Sequence, residues 1–299
     1  MTLPLTGTSA KILPAERTIR GCDPKVTFIT VCYRTPGLIR LLLKGVEAAG
    51  LQFPFEYILV DNAPGDGTGA MVRERFPWVT VIDAPRNVGF GAGNNLAFKR
   101  MRGTYAMLTN PDLTVFPGEI EKLVKFLDDN HDVGFAGPAL HNPDGSRQES
   151  CYRFPTPMIP VYRRTFLGSL PSGRRAIHHY LMRDALKDNE PTEVDALMGS
   201  AILMRRRTLD EIGMFDERYF MYMEEVDICR RAWMNHWRVA YVPSAKLVHY
   251  HQRESRIDRP WQILTHKPAR AHIVSALYYF WKYRKAKHPH LIPRAIETN

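Results

Sequence analysis

The stretch KVTFITVCYRTPGLIRLLLKGVEAAGLQFPFEYILVDN, residues 25–62, decides how the rest of the chain is read. KVTFITVCY is a short β-branched and aromatic run of strand character, and GLIRLLLKGVEAAG carries its apolar residues at helical spacing. FEYILVD then returns to a strand that runs into the turn residues NAPGDGT. Working outward, GAMVRERF, WVTVIDAP, GFGAGNNLAFKRM, YAMLTNPD and GEIEKLVKFLDDN continue the same alternation of helix and strand. Such alternation predicts an α/β fold with a mostly parallel central sheet and helices on both faces. In such sheets ligands lie beyond the carboxyl ends of the strands, which directs attention to Tyr33 and Arg34, to Asp61 and Asn62, and to Asn110 and Asp112.

With 299 residues, 44% of them hydrophobic, the chain can fill one large core. Its formal net charge of +10 points to an anionic partner. The excess is concentrated: residues 151–187 hold seven Lys or Arg against one acid, and residues 251–299 hold ten against three. Cys22, Cys32, Cys151 and Cys229 are widely spaced and form no C-x-x-C pair, which fits a reducing compartment. Residues 1–24 read as an N-terminal extension, 25–250 as the main domain and 251–299 as a basic, amphipathic helical region. No run of about 18 apolar residues occurs, so no membrane-spanning segment is expected.

The candidate site residues each have a plain structural reading beside the chemical one. Asp61 at a strand tip can accept hydrogen bonds from a base or sugar, and an Asx-turn into APGDG accounts for it equally. NVGFGAGNN, residues 87–95, suggests close backbone approach to phosphate, but Asn94 stands where a dinucleotide fingerprint needs glycine. Asn94 and Asn95 also suit a helix N-terminus. Asn110 and Asp112 place an amide carbonyl and a carboxylate in one turn, a donor pair for Mg²⁺ or Mn²⁺ completed by a diphosphate. FMYMEEVDICRRAW sets Val226, Cys229, Trp233 and Trp237 on one helical face. Its acids, Glu224, Glu225 and Asp227, either cap the helix dipole or supply a desolvated base. His249 and His251 flank Tyr250 after a strand, as metal or phosphate ligands or as ordinary surface histidines.

In this order, VTFITVCYRTP, YILVDNAPGDGT, NVGFGAGNNLAF, MLTNPDL, VDALMGSAILMRRRTLDEIGMFDERYFMYMEEVDICRRA and HIVSALYYFWKY resemble the family 2 glycosyltransferases of GT-A fold, and among them bacterial rhamnosyltransferase-like members. The resemblance implies a nucleotide-diphospho-sugar donor, with Asp61 on the base, Asn94 or Asn95 near the nucleotide, and Tyr33, Arg34 and Asn110 among the donor-binding residues. It puts Asn110 and Asp112 at the Asp-x-Asp position, holding a divalent cation with His249. It makes Glu225 the general base of an inverting displacement, with Glu224 and Asp227 in support. Asn110 stands where the first Asp is usual, and Glu225 where Asp is common.

The same resemblance implies a saccharide or lipid-linked saccharide acceptor, rhamnose as the transferred sugar, and a role in cell-envelope polysaccharide synthesis. The two basic segments, with Tyr162, Phe166, Tyr278, Tyr279, Phe280 and Trp281, are then expected to dock on an anionic membrane surface, placing the enzyme in the cytoplasm on the inner face of the membrane. Three other functions fit single features: a basic nucleic-acid-binding protein, which lacks any recognisable RNA-binding motif, a nicotinamide oxidoreductase, whose glycine fingerprint is misplaced, and a non-catalytic nucleotide-sugar binder.

Overall fold

A computed structural model describes residues 23–186, 189–250 and 266–291. The expected N-terminal extension therefore lies almost wholly outside the described residues, as does His251.

The first half follows the predicted order: β1 (Val26–Cys32), α1 (Pro36–Ala49), β2 (Phe55–Asp61), α2 (Thr68–Arg75), β3 (Val79–Asp83), α3 (Phe90–Phe98) and β4 (Tyr105–Thr109). Helix α1 starts on Pro36, where a missing N–H costs no helical hydrogen bond, and stops at Gly50, whose φ of 60° reverses the chain. Strand β1 lies between β2 and β4 and is parallel to both. Its side chains alternate between two cores: Phe28 packs with Leu42 and Leu43 of α1, and Ile29 with Phe98 of α3. A parallel strand buried on both faces reads as a near-continuous apolar run, as VTFITVC does.

The second half is less regular. It comprises β5 (Leu113–Thr114), α4 (Glu119–Asp129), β6 (Val133–His141), β7 (Cys151–Tyr152), α5 (Met158–Arg164), a 3₁₀ turn at Phe166–Ser169 and α6 (Pro171–Tyr180). There follow β8 (Thr192–Glu193), β9 (Ala196–Leu197), β10 (Ala201–Arg205), α7 (Arg206–Ile212), α8 (Glu224–Met234), β11 (Arg238–His249) and α9 (Lys267–Tyr283). The main sheet runs β3-β2-β1-β4-β10-β6-β11-β5, with β8 added on β11, while β7 and β9 pair separately. Strand β10 is antiparallel to both neighbours, β4 and β6, so the sheet is mixed but mostly parallel.

Two of these pairings build the site. Because β10 runs against β4, the turn before Ala201 sits beside the carboxyl end of β4. Because β5 pairs with the last residues of β11, the turn after β4 meets His249. The C-terminal helix α9 belongs to the same core, since Ala276 and Tyr279 pack in the cluster that holds Trp233 of α8. No helix among the described residues is long and apolar enough to cross a membrane.

Candidate active site at the carboxyl ends of the strands

Beneath the site, Thr30, Tyr57 and Thr109 join β1, β2 and β4 through buried hydroxyls, with Thr30 Oγ1 2.6 Å from the Tyr57 oxygen and 2.7 Å from Thr109 Oγ1. This cluster holds the three strand ends in register without leaving a hydroxyl unpaired. At the tip of β1, Tyr33 is 46% exposed and stacks with the Arg34 guanidinium 5.2 Å above its ring.

Asp61 ends β2 and makes the turn that its position allowed. Its Oδ1 accepts from the Ala63 N–H at 2.9 Å and its Oδ2 from the Gly69 N–H at 3.1 Å, which shapes the loop as an Asx-turn. It also lines a depression of about 270 Å³ with Pro64, Gly65, Gly67, Arg73 and Asp83. The carboxylate is 1% exposed, so only a group that enters this depression reaches it.

The turn Asn110–Asp112 and the end of β11 come together. His249 Nε2 lies 3.3 Å from Asp112 Oδ1, and the Tyr250 N–H donates to the Asp112 carbonyl at 2.9 Å. Gln148 orients the imidazole: its Nε2 donates to the His249 carbonyl at 2.7 Å and its Oε1 faces Nδ1 at 2.9 Å. With Nδ1–H donating to that oxygen, Nε2 carries the lone pair toward the Asp112 carboxylate. Two electron-rich atoms so placed suit a cation between them, with Gln148 setting the tautomer. Among the described residues no group of three or more His, Cys, Asp or Glu converges on a metal position. Asp112 and His249 therefore fit a hard divalent ion that takes its other ligands from phosphate oxygens and water.

The third part is the start of α8. Glu224 and Glu225 open the helix, and both approach backbone made narrow by glycine. A Cβ at Gly91 of α3 would stand 3.7 Å from the Glu224 Cβ, and one at Gly199 would stand 3.4 Å from the Glu225 Cβ. Glu224 is 4% exposed and its Oε2 has no hydrogen-bond partner among the described residues. Burial, and then the adjacent Glu225 charge, push its carboxyl well above the ordinary range. Glu225 is partly exposed, and burial raises it from 4.5 to about 7. One acid is held protonated beside another that ionises near neutrality, an arrangement suited to proton transfer.

Two predicted residues are given other work. Asn95 spends its amide on a brace: Nδ2 donates to the Phe215 carbonyl at 2.9 Å and to Glu217 Oε1 at 3.0 Å, while Oδ1 accepts from the Phe215 N–H at 3.0 Å. Asn94, 1% exposed, donates to the Phe90 carbonyl one turn back in α3. The Asn95 amide and the Asn94 Nδ2 are thus engaged with the protein itself. Asp227 differs from the two glutamates in being paired within the protein. It is fully buried and bound by Arg231 Nε at 2.9 Å, Lys282 Nζ at 2.5 Å, and the hydroxyls of Tyr283 and Tyr219 at 2.9 and 3.2 Å. It ties α8 to α9, with Lys282 shared by Asp216 at 2.8 Å.

Sequence reasoning pointed to Asn62 only as a strand-end residue and did not single out Gly199, Ser200 or Gln148. The Ser200 carbonyl accepts the Asn110 N–H at 2.9 Å, joining the Asn110–Asp112 turn to the segment under Glu225. Asn62 Nδ2 donates to the Gly89 carbonyl at 3.0 Å, and the next N–H, of Phe90, donates to the Phe220 carbonyl at 3.0 Å. A Cβ on Gly89 would collide with that carbonyl, and its φ of 91° is itself a glycine conformation. The glycines of NVGFGAGNN therefore serve packing between the loop, Asn62 and the chain before Glu224. Gln148, in SRQES, has no local signal at all.

The sequence pattern described as glycosyl transferase family 2 matches residues 27–213, which contain β1 to β10 and the Asn110–Asp112 turn. The chain belongs to glycosyl transferase family 2. Its curated relatives include the N-acetylglucosaminyl-diphospho-decaprenol L-rhamnosyltransferase of Mycobacterium tuberculosis, 30% identical over 71% of this chain and 72% of the relative. A rhamnosyltransferase of Escherichia coli, WbbL, is 25% identical over 56% of this chain and 63% of its own length. Among solved structures, the mannosyltransferase PcManGT of Pyrobaculum calidifontis, in complex with GDP-Man and Mn²⁺, aligns with a TM-score of 0.58 at 20% identity, over 90% of this chain and 67% of that one. GalNAc-T7 with UDP, GalNAc and Mn²⁺ aligns at 0.56 and 14% identity, over 78% of this chain and 45% of that one. At such identities these two establish the shared GT-A fold, and the family 2 glycosyltransferase has its candidate site where that fold gathers the strand ends.

Proposed function

We propose that this glycosyltransferase moves a sugar, rhamnose in the first instance, from a nucleoside-diphospho donor to a saccharide or lipid-linked saccharide acceptor with inversion at the anomeric carbon. The observation that carries the reading is the meeting of Asp112 and His249 on one side and Glu225 on the other, joined through the Ser200–Asn110 hydrogen bond. The base enters the depression at Asp61, and the diphosphate extends toward Asp112. A divalent cation, Mn²⁺ or Mg²⁺, held by Asp112 and His249 would neutralise the charge on the leaving diphosphate. Asn110 lines the same turn. Glu225, ionised, accepts the proton of an acceptor hydroxyl as that oxygen bonds to the anomeric carbon and the bond to the diphosphate breaks. Transfer to polyprenyl-diphospho-saccharide is favoured by the relative named for that acceptor class, and the product then belongs to envelope polysaccharide synthesis.

Thermal unfolding with UDP, dTDP, GDP and NAD, each with and without Mn²⁺, tests the donor site. One nucleoside diphosphate at about 100 times its dissociation constant stabilises by about 2.7 kcal/mol, and Mn²⁺ strengthens that effect. Stabilisation by NAD alone, or by none of the four, refutes the donor assignment.

The reading includes a peripheral position on the anionic cytoplasmic leaflet, favoured by an exposed apolar stripe. Val274, Leu277 and Trp281 recur at helical spacing on α9 and are 63%, 66% and 57% exposed. Exposed Arg270, Arg284 and Lys285 adjoin them, and the Arg164–His272 contact at 2.8 Å brings in α5, after which Phe166 stands 78% exposed. This corrects the aromatic set expected from sequence: Tyr279 is 1% exposed in the core, and the Tyr278 hydroxyl donates to Asp216. Vesicles containing phosphatidylglycerol should float the protein and neutral vesicles should not, with Leu277→Asp plus Trp281→Asp abolishing flotation. Equal flotation with both lipids, or none with either, refutes the docking face.

A further inference from the structure

The two residues before Glu224 hold a backbone conformation that large side chains rarely adopt. Tyr222 has φ of 68° and Met223 of 71°. Successive non-glycine residues in the left-handed region persist only where surrounding contacts over-determine them, and such turns cluster at functional sites.

The contacts that hold this turn come from distant parts of the chain. On one side, the Phe90 N–H at the start of α3 donates to the Phe220 carbonyl. On the other, α9 grips three successive points. Ser275 Oγ donates to the Met221 carbonyl at 2.9 Å. The His272 ring stacks on Tyr222 with centroids 4.6 Å apart and planes 24° from parallel. Beyond the turn, Lys282 and Tyr283 hold Asp227 in the first turn of α8. His272 is fixed in turn by Arg164 from α5, and burial with Arg164 and Arg163 nearby lowers its pKa to about 4, so the stacked ring is neutral.

We propose that α9 is a positioning element for catalysis: Ser275 and His272 lock the Met221–Met223 turn in its left-handed form, and that turn sets the direction in which α8 presents Glu225. The proposal rests on Glu225 being the base. It assigns a positioning task to a helix outside the span of the family match, residues 27–213, and to two residues that act through the turn they hold. Removing either grip lets the turn relax toward ordinary backbone geometry and moves Glu225 off the acceptor hydroxyl, while the donor site on β1, β2 and β4 is untouched.

The test is steady-state kinetics on Ser275→Ala, His272→Ala, Ser275→Thr and Tyr278→Phe, with Mn²⁺-dependent nucleotide affinity measured on each. Tyr278 also anchors α9, through Asp216, but does not touch the turn. Ser275→Ala, which deletes one oxygen, carries the test by itself. It should lower kcat by about 10-fold, and His272→Ala by a similar factor, because misplacement of a catalytic group by about 1 Å costs up to about 100-fold. Donor KM and nucleotide affinity should stay as in the parent protein. Ser275→Thr should restore kcat, and Tyr278→Phe should keep it. An unchanged kcat in Ser275→Ala, an equal loss in Tyr278→Phe, or a parallel loss of nucleotide affinity overturns the proposal. Glu225→Gln assayed alongside separates the two readings. If it is inactive while Ser275→Ala is fully active, only the positioning role falls, and if it stays active the base assignment falls first and the positioning role with it.

Discussion

Glu225→Gln will abolish turnover while leaving nucleotide binding intact. The substitution keeps the shape of the side chain and removes its ability to take a proton, so kcat should fall by about 10³-fold, within the usual range for a lost general base. The parent enzyme should show an acid limb in kcat/KM centred near pH 7, where the raised carboxyl ionises, and activity should rise through it. Stability moves the other way. A carboxyl raised from 4.5 to about 7 on folding binds more protons in the native state, so its contribution is full below about pH 4.5 and is lost as pH rises through 7. The Gln variant lacks that loss and should hold its Tm better than the parent between about pH 4.5 and 7. Turnover within about 10-fold of the parent, or an acid limb that survives the substitution, would remove Glu225 from the role of base.

Asp112→Ala will uncouple nucleotide binding from Mn²⁺. In the parent protein a nucleoside diphosphate at about 100 times its dissociation constant with Mn²⁺ should raise Tm by roughly 4 °C, from about 2.7 kcal/mol of linkage spread over a chain of this size. Without the carboxylate, His249 stands alone opposite the diphosphate, and the Mn²⁺-dependent part of that shift should vanish. Gln148→Ala should weaken the Mn²⁺ effect by about 10- to 100-fold in affinity, since it frees the imidazole that Gln148 orients. Chelation by EDTA should reproduce the Asp112→Ala behaviour in the parent protein. A nucleotide shift that is indifferent to Mn²⁺, EDTA and Asp112→Ala alike would sink the metal assignment.

These outcomes bear on how far the chain can be read without its structure. Apolar periodicity marked every strand and helix from β1 to β4, because each is buried on two sides or along one face and its composition must follow its spacing. The turn residues after those strands, Asp61, Asn110 and Asp112, stood out for the same reason: in a parallel sheet the carboxyl ends are where polar residues can gather without entering the core. Glu224 and Glu225 were visible as acids at a helix start beside aromatic residues.

Local pattern could not tell Asp227 from its neighbours. All three acids lie within four residues, and only the packing of α9, through Lys282 and Tyr283, together with Tyr219, shows that Asp227 is bound to the protein itself. Asn95 looked like a donor ligand because its amide's partners are not written near it in the chain. Asn95 binds Phe215 and Glu217, more than a hundred residues away. Gln148 and Ser200 were invisible for that reason too, since each acts through contacts fixed by β-pairing of remote segments. In the C-terminal helix the aromatic count was legible, but which aromatics face outward was not: Tyr279 went to the core and Trp281 to the surface.

By itself, then, the sequence determined the alternating α/β plan and the candidate strand ends, because these follow from burial periodicity and from residue types local to each segment, while the family was legible from the resemblance of its motif strings taken in order. The tertiary structure alone decided which polar groups remain available for that chemistry. Hydrogen-bond capacity is finite, and whether an Asp or Asn spends it on a ligand or on the protein depends on neighbours brought close only by folding.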